Sequence, residues 1–214
     1  MHTSGADAAF LDSVETILLS SAYLPPVSYI QSCIRAEKII FEKHEHFVKQ
    51  TYRNRCSVYG ANGKLNLVIP VQHQIVYRLP MCNVRISYNS SWNKIHWRSL
   101  ESAYRKSAFF EYYEDQFKKH FEEPEEFLFD FNQKLLEKIF SILEVKAGIF
   151  FTESWTEMPE QPIADLRFKA HQKESGIQIQ NYYQVFNDKF GFLPDLSILD
   201  LLFNEGPAAR SYLF

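Results

Sequence analysis

Residues 16–42 read TILLSSAYLPPVSYIQSCIRAEKIIFE, and this stretch decides the fold. Thr16–Ser20 is an apolar run of strand length. Pro25 and Pro26 then fix the backbone of a loop and forbid helix before Pro26. Val27–Arg35 follows with Tyr29, Ile30, Cys33 and Ile34 on one face, which predicts a short helix. Lys38–Glu42 is a second apolar strand. Strand, helix and strand over this length make a βαβ unit, hence a parallel pair. Ligands of such sheets sit beyond the carboxyl ends of the strands. Here those ends are the loop at Tyr23 and residues 43–55.

Outward from this unit the pattern stays mixed. Residues 56–59 and 65–71 are β-rich and flank Gly60-Ala61-Asn62-Gly63-Lys64, in which Asn62-Gly63 signals a hairpin. Residues 83–88 alternate like a strand. Residues 92–105 turn helical: Trp97, Leu100 and Tyr104 share a face, with Trp92 and Ala103 beside it, while Lys94, Arg98, Glu101 and Arg105 line another. A second helix is expected over 109–121. A third, over 127–145, has Leu128, Phe131, Leu135, Ile139 and Ile142 at steps of three and four. Residues 146–176 are less regular. Phe150 and Phe151 suggest a strand, and residues 152–176, with Met158, Pro159, Pro162 and the polar run around His171, read as a long surface loop, an interface or a lid. Tyr182, Tyr183, Val185 and Phe186 suggest a strand or packed turn. Ser197 with Asp200 opens a last helix over 199–203 that Gly206 ends. With no repeat and no Gly- or Ser-rich linker, the expectation is one α/β domain over 14–214. It would have a βαβ start, a mixed sheet and helices packed on it, after a flexible N-terminus over 1–13.

Composition narrows the class. The chain has 214 residues, 46% apolar and 23% charged, with a formal net charge of -3. A chain this long buries roughly 70% of its unfolded surface and needs no staple. The mild acidity argues against nucleic-acid binding through bulk charge. Aromatics reach 16%, which suits a dense core or a site that stacks on planar or sugar-like ligands. Cys33, Cys56 and Cys82 form no CxxC and fit a reducing compartment. No apolar run approaches the roughly 18 residues of a membrane span. Asp7, Asp12 and Glu15, with no Lys or Arg among the first 15 residues, are the wrong charges for a secretory signal. A cytoplasmic protein is expected.

Several segments together resemble the WbqC-like protein family, in the form common in Bacteroidota. They are Ala22-Tyr23-Leu24-Pro25-Pro26, Lys49-Gln50-Thr51-Tyr52-Arg53-Asn54-Arg55, Leu67-Val68-Ile69-Pro70-Val71, Val84-Arg85-Ile86-Ser87-Tyr88, Trp92 with His96-Trp97, and Glu101-Ser102-Ala103-Tyr104-Arg105. Tyr183-Gln184-Val185-Phe186, Phe192-Leu193-Pro194 and residues 196–202 extend the match to the tail. The resemblance implies a bacterial protein of O-antigen and surface-polysaccharide biosynthesis, such as an acyl or amino-acyl transferase acting on an amino sugar or nucleotide sugar. A non-catalytic scaffold of the same pathway and an ATP-dependent activating enzyme are the alternatives. Other branches open with His-Gln-Pro-Asn-Tyr-x-Pro after the first strand. Here Leu19, Ser20, Ser21 and Ala22 precede Tyr23, so that histidine and asparagine are absent. An acidic pair after the second strand in those branches corresponds here to Lys43 and His44. Lys49, Asn54, Arg55, Trp92 and His96 match both patterns.

Three constellations carry the candidate chemistry. Lys49, Arg53 and Arg55 follow a strand, and Arg98 and Arg105 project from a helix. Together they offer forks and a point charge to the anionic groups of a nucleotide sugar. The competing reading is a solvated face with internal pairs such as Glu101–Arg105. His44-Glu45-His46 places two imidazoles on one face if the segment is a strand, fit for acid–base work or, with a third ligand from Glu42 or His96, for a metal. Exposed histidines are the plain alternative, and the expected site holds no metal. Trp92 and His96, one helical turn apart, read as a ring platform with a general base, or as a packed face around a core histidine. The Tyr23 loop orients a ligand or forms a structural corner. Cys56 beside Arg55 is a weak nucleophile candidate. No dinucleotide, Walker or nucleophile-elbow motif is present, so no cofactor is identified. The expected site residues are therefore His44, His46 and His96 for proton transfer, and Tyr23, Lys49, Arg53, Asn54, Arg55, Trp92, Arg98 and Arg105 for a small-molecule substrate.

Overall fold

The structure is a computed structural model that describes residues 15–72, 78–159, 162–167 and 178–214. Strand β1 (Thr16–Ser20) lies parallel to β2 (Lys38–Glu42), with Thr16 opposite Lys38 and Ser20 opposite Glu42. Helix α1 (Val27–Arg35) joins them. The opening βαβ unit is thus as the sequence reads. Pro26 sits at the start of α1 in extended backbone and offers no side-chain cap. Asp195 caps the helix from far along the chain: Ser28 donates its N–H to Oδ1 and its hydroxyl to Oδ2, both at 2.9 Å.

The hairpin pairs β3 (Arg55–Gly60) with β4 (Gly63–Val68) antiparallel, Gly60 opposite Gly63. The two linking residues are Ala61 and Asn62, one position earlier than the Asn-Gly signal suggests. Neither has positive φ, whereas Gly63 has φ +96°. The glycine therefore takes the left-handed position that follows a type I turn. Strand β4 ends at Val68, short of the expected 71: Ile69 N–H still donates to Asn54 O in the same register, and Pro70, which has no N–H, follows. Residues 83–88 do not form the expected strand. A 3₁₀ turn covers Met81–Asn83, and Arg85 and Ile86 make single bridges to different partners, Phe127 and Val71.

Three helices build the core: α2 (Trp92–Tyr104), α3 (Phe110–Glu122) and α4 (Leu128–Leu143). Their shared aromatic seam joins Trp97 to Phe110 and Phe121, and Phe110 and Phe117 to Phe203. Strand β5 (Gly148–Phe151) pairs parallel with β2, in agreement with the Phe150 and Phe151 signal. Strand β6 (Ile163–Asp165) pairs parallel with β1 inside the stretch expected to be loop. The sheet order is β5-β2-β1-β6. Residues 160–161 and 168–177, His171 included, lie outside the described residues, as do residues 1–14, which contain the expected flexible N-terminus over 1–13.

Residues 182–186 are an irregular packed segment, not a strand, and lead into the short α5 (Asn187–Phe190). Helix α6 (Ile198–Glu205) begins at Ser197, whose hydroxyl accepts from Leu199 N. It ends at Gly206, with φ +54°, where a Cβ would sit 2.4 Å from the Phe109 ring. Buried Asp200 of α6 accepts hydrogen bonds from Tyr182 (2.7 Å) and Gln184 (2.8 Å), anchoring the packed segment to the core. Among the described residues, no helix is long and apolar enough to cross a membrane.

Alternation divides the faces of the parallel sheet. Ile17, Leu19, Ile39 and Phe41 point into the hydrophobic core. Thr16, Leu18 and Ser20, with Lys38, Ile40 and Glu42, point to the opposite face. The chain leaves β1 toward β2 and returns much later to β1's other side as β6. That reversal marks the switch point at which open α/β sheets bind ligands.

Candidate functional site

The carboxyl edge of the sheet carries a buried polar row. Ser20 closes β1, Glu42 closes β2, Thr152 follows β5, and Arg167 lies two residues beyond β6. The Thr152 hydroxyl donates to Glu42 Oε1 at 2.7 Å. The His44 backbone N–H donates to the same oxygen at 2.7 Å and turns the chain out of the sheet. Arg167, 1% exposed, is held by Asp165 through Nε (3.0 Å) and Nη2 (2.6 Å), and lies 3.5 Å from Glu42 Oε2. It also donates to the carbonyls of Thr156 and Glu157, fixing the loop after β5.

A second ion pair abuts the first. Arg53 donates through Nε to Glu45 Oε1 (2.8 Å) and through Nη2 to Glu45 Oε2 (2.5 Å). Ser20 links the pair to the sheet: its hydroxyl donates to Glu45 Oε2 and accepts from Arg53 Nη2, each at 2.9 Å. Asn132 of α4 donates to Arg53 O and to Ser21 Oγ. Buried charges persist only when paired and hydrogen-bonded. Here that requirement pins together the ends of four strands, the loop over 43–54 and α4.

Above the row stands an aromatic stack. The Arg167 guanidinium lies 4.6 Å from the Trp155 ring centre, and the exposed His46 ring lies near-parallel to Trp155 at 6.4 Å. Trp155 is itself exposed and forms one wall of the rim.

The residues named from the sequence separate into three places. His46 is exposed at the strand-end rim against Trp155, His44 is half-buried next to Glu42, and Lys49 is exposed on the loop over 43–54. β2 stops at Glu42, so the strand geometry that aligns His44 with His46 is absent, and His46 instead bridges to Pro80. Tyr23, Trp92 and His96 meet in a buried aromatic cluster with Phe131. Tyr23 Oη lies 2.9 Å from His96 Nδ1, and the Val68 carbonyl meets the ring as well. Burial pushes the imidazole down to about 4, so it is neutral at physiological pH. Asn54 is buried and donates to Ile69 O, clamping β3 to the chain after β4. Arg55 opens β3, half-buried. Arg98 and Arg105 lie on the outer face of α2, where Arg105 pairs with Glu101 (2.8 Å) and Glu114 (3.8 Å).

The five basic residues thus form no common patch: Arg53 is spent on Glu45, and the α2 pair faces elsewhere. Cys56 is buried, and desolvation raises its thiol pKa despite neighbouring Arg55. Among the described residues, no group of three His, Cys, Asp or Glu is placed to hold a metal ion. Sequence reasoning did not single out Ser20, Thr152, Trp155, Asp165 or Arg167, whose signal is spatial convergence at strand ends.

Comparison with known proteins adds to this geometry. The model of the family described as "WbqC-like protein family" matches residues 20–174, a span that takes in the whole strand-end row. A protein of Mycobacterium tuberculosis, "Uncharacterized protein Rv1507c", is 27% identical over 224 residues, covering 92% of this chain and 96% of its own length. No solved structure matches.

Proposed function

The chain belongs to the WbqC-like protein family, and from that premise we propose that it is a cytoplasmic enzyme of bacterial surface-polysaccharide biosynthesis. It transfers an acyl or amino-acyl group to an amino sugar or nucleotide sugar. The observation that supports this reading is the buried ionic row at the carboxyl ends of a parallel sheet, topped by the exposed rings of His46 and Trp155. A rigid floor under a rim of titratable and cationic side chains suits a small anionic substrate.

Lys49 meets the phosphate of the nucleotide sugar as a point charge. Trp155 stacks on the sugar ring. His46, exposed at the rim beside Trp155, is the proton acceptor, and His44 supports it. The acceptor amine attacks the acyl carbon, a C–N bond forms, the bond from that carbon to the donor's leaving group breaks, and the amine proton passes to the His46 imidazole. Tyr23, Trp92, His96 and Arg53 serve this site from beneath, as the packed support of the rim.

The test is a thermal-shift panel of nucleotide sugars with and without amino groups, free amino sugars, ATP and amino acids. A ligand at 100 times its Kd stabilises by about 2.7 kcal/mol. A shift with amino-bearing nucleotide sugars is expected. A shift with ATP alone, or with nothing in the panel, would overturn the reading.

A further inference from the structure

Parallel sheets ordinarily have both faces covered. Among the described residues, the face opposite the core is covered unevenly here. Leu18 of β1 is buried, but Lys38 and Phe150 are exposed and Ile40 is half-buried. The register sets Ile40 directly beside Phe150, and Lys38 beside Gly148. Gly148 has a specific part in this. A Cβ there would come 3.0 Å from Phe150 Cε2, so the missing side chain lets the Phe150 ring lie back along the sheet. The result is a groove of about 490 Å³ floored by Ile40 and Phe150, with Lys38 at its far end.

The near end of this groove is the candidate site. Thr152 and Thr156 line it. The Thr152 hydroxyl is bonded to Glu42, and the Thr156 carbonyl receives Arg167. One molecule can therefore lie with an apolar chain on Ile40 and Phe150 and its polar end at the carboxyl edge of the sheet. We propose that this groove is a subsite for the apolar chain of the group being transferred, so that the donor is a straight-chain acyl or apolar amino-acyl derivative. Its lining follows β2 and β5 from Lys38 through Ile40 and Phe150 to Thr152, a course that matches an extended chain. This deepens the transferase reading and rests on it for its biological role, while the groove's binding property stands apart from it.

The experiment titrates the full-length protein with straight-chain carboxylates and n-alkylamines of four to ten carbons. Affinity in at least one series should rise by about fourfold per added methylene until the groove is filled, then level off. Phe150→Gln, at a side chain 51% exposed, should abolish that rise without lowering the melting temperature. Ile40→Gln is the second variant and should flatten the same series. No chain-length dependence in the unaltered protein, or the same dependence in both variants, would overturn the proposal. Lys49→Ala separates the two readings: it should leave the chain-length series intact while weakening nucleotide-sugar binding. A chain-length series without any nucleotide-sugar binding would leave the groove standing and remove the transferase.

Discussion

The Arg53 guanidinium meets the Glu45 carboxylate at two points, 2.8 Å and 2.5 Å, with Arg53 2% and Glu45 4% exposed. A charge run in the sequence is thereby turned inward. Removing one partner leaves the other charge buried and alone, which costs about 3–5 kcal/mol. Arg53→Met should lower stability to urea by that order. Arg53→Met combined with Glu45→Leu should recover much of the loss. Equal destabilisation in the single and double variants would contradict the pairing.

Asp200 and His96 give opposite pH dependences over the same range. Burial raises the Asp200 carboxyl from 3.8 to about 6, against hydrogen bonds from Tyr182, Tyr104 and Gln184 that lower it. The folded state thus keeps a proton the unfolded state has lost, and stability falls as pH rises from 4 to 6. Burial lowers His96 from 6.5 to about 4. The folded state there lacks a proton the unfolded state holds, so this contribution is present above 6.5 and is lost as pH falls toward 4. Each shift corresponds to about 3 kcal/mol, and the two largely cancel between pH 4 and 6. Asp200→Asn should make stability rise with pH across that range, and His96→Gln should make it fall. Chemical denaturation at pH 4, 5, 6 and 7 checks both. Identical slopes in both variants would contradict the assignment.

Asp195 replaces a cap that Pro26 cannot provide. Asp195→Ala removes both hydrogen bonds to Ser28 and should cost about 1 kcal/mol. Asp195→Asn should cost less, since its carbonyl can still accept from Ser28 N. Melting temperatures of the two variants test this.

Local signals carry part of the fold. The apolar runs at 16–20 and 38–42, punctuated by Pro25-Pro26, set β1, α1, β2 and their parallel pairing. The 3-4 spacing from Leu128 to Ile142 sets α4. Strand β6 is three residues long and owes its existence to β1, about 147 positions away, so no periodicity betrays it. Residues 83–88 alternate because Val84 and Ile86 are buried, yet each backbone group pairs with a different segment. His44 and His46 lose their shared face because Glu42 captures the His44 N–H. The site was legible to the extent that strand ends can be located. Arg167, Asp165 and Trp155 join it only through the return of β6, a long-range event.

The central claim is that substrate binds at the strand-end rim and not on the outer face of α2. Lys49 and Arg98 are both exposed. The most direct measurement is calorimetric titration of an amino-bearing nucleotide sugar into the unaltered protein, Lys49→Ala and Arg98→Ala. The account predicts at least tenfold weaker binding in Lys49→Ala and unchanged binding in Arg98→Ala. Weakening in Arg98→Ala with Lys49→Ala unaffected, or no binding to any of the three, would contradict it.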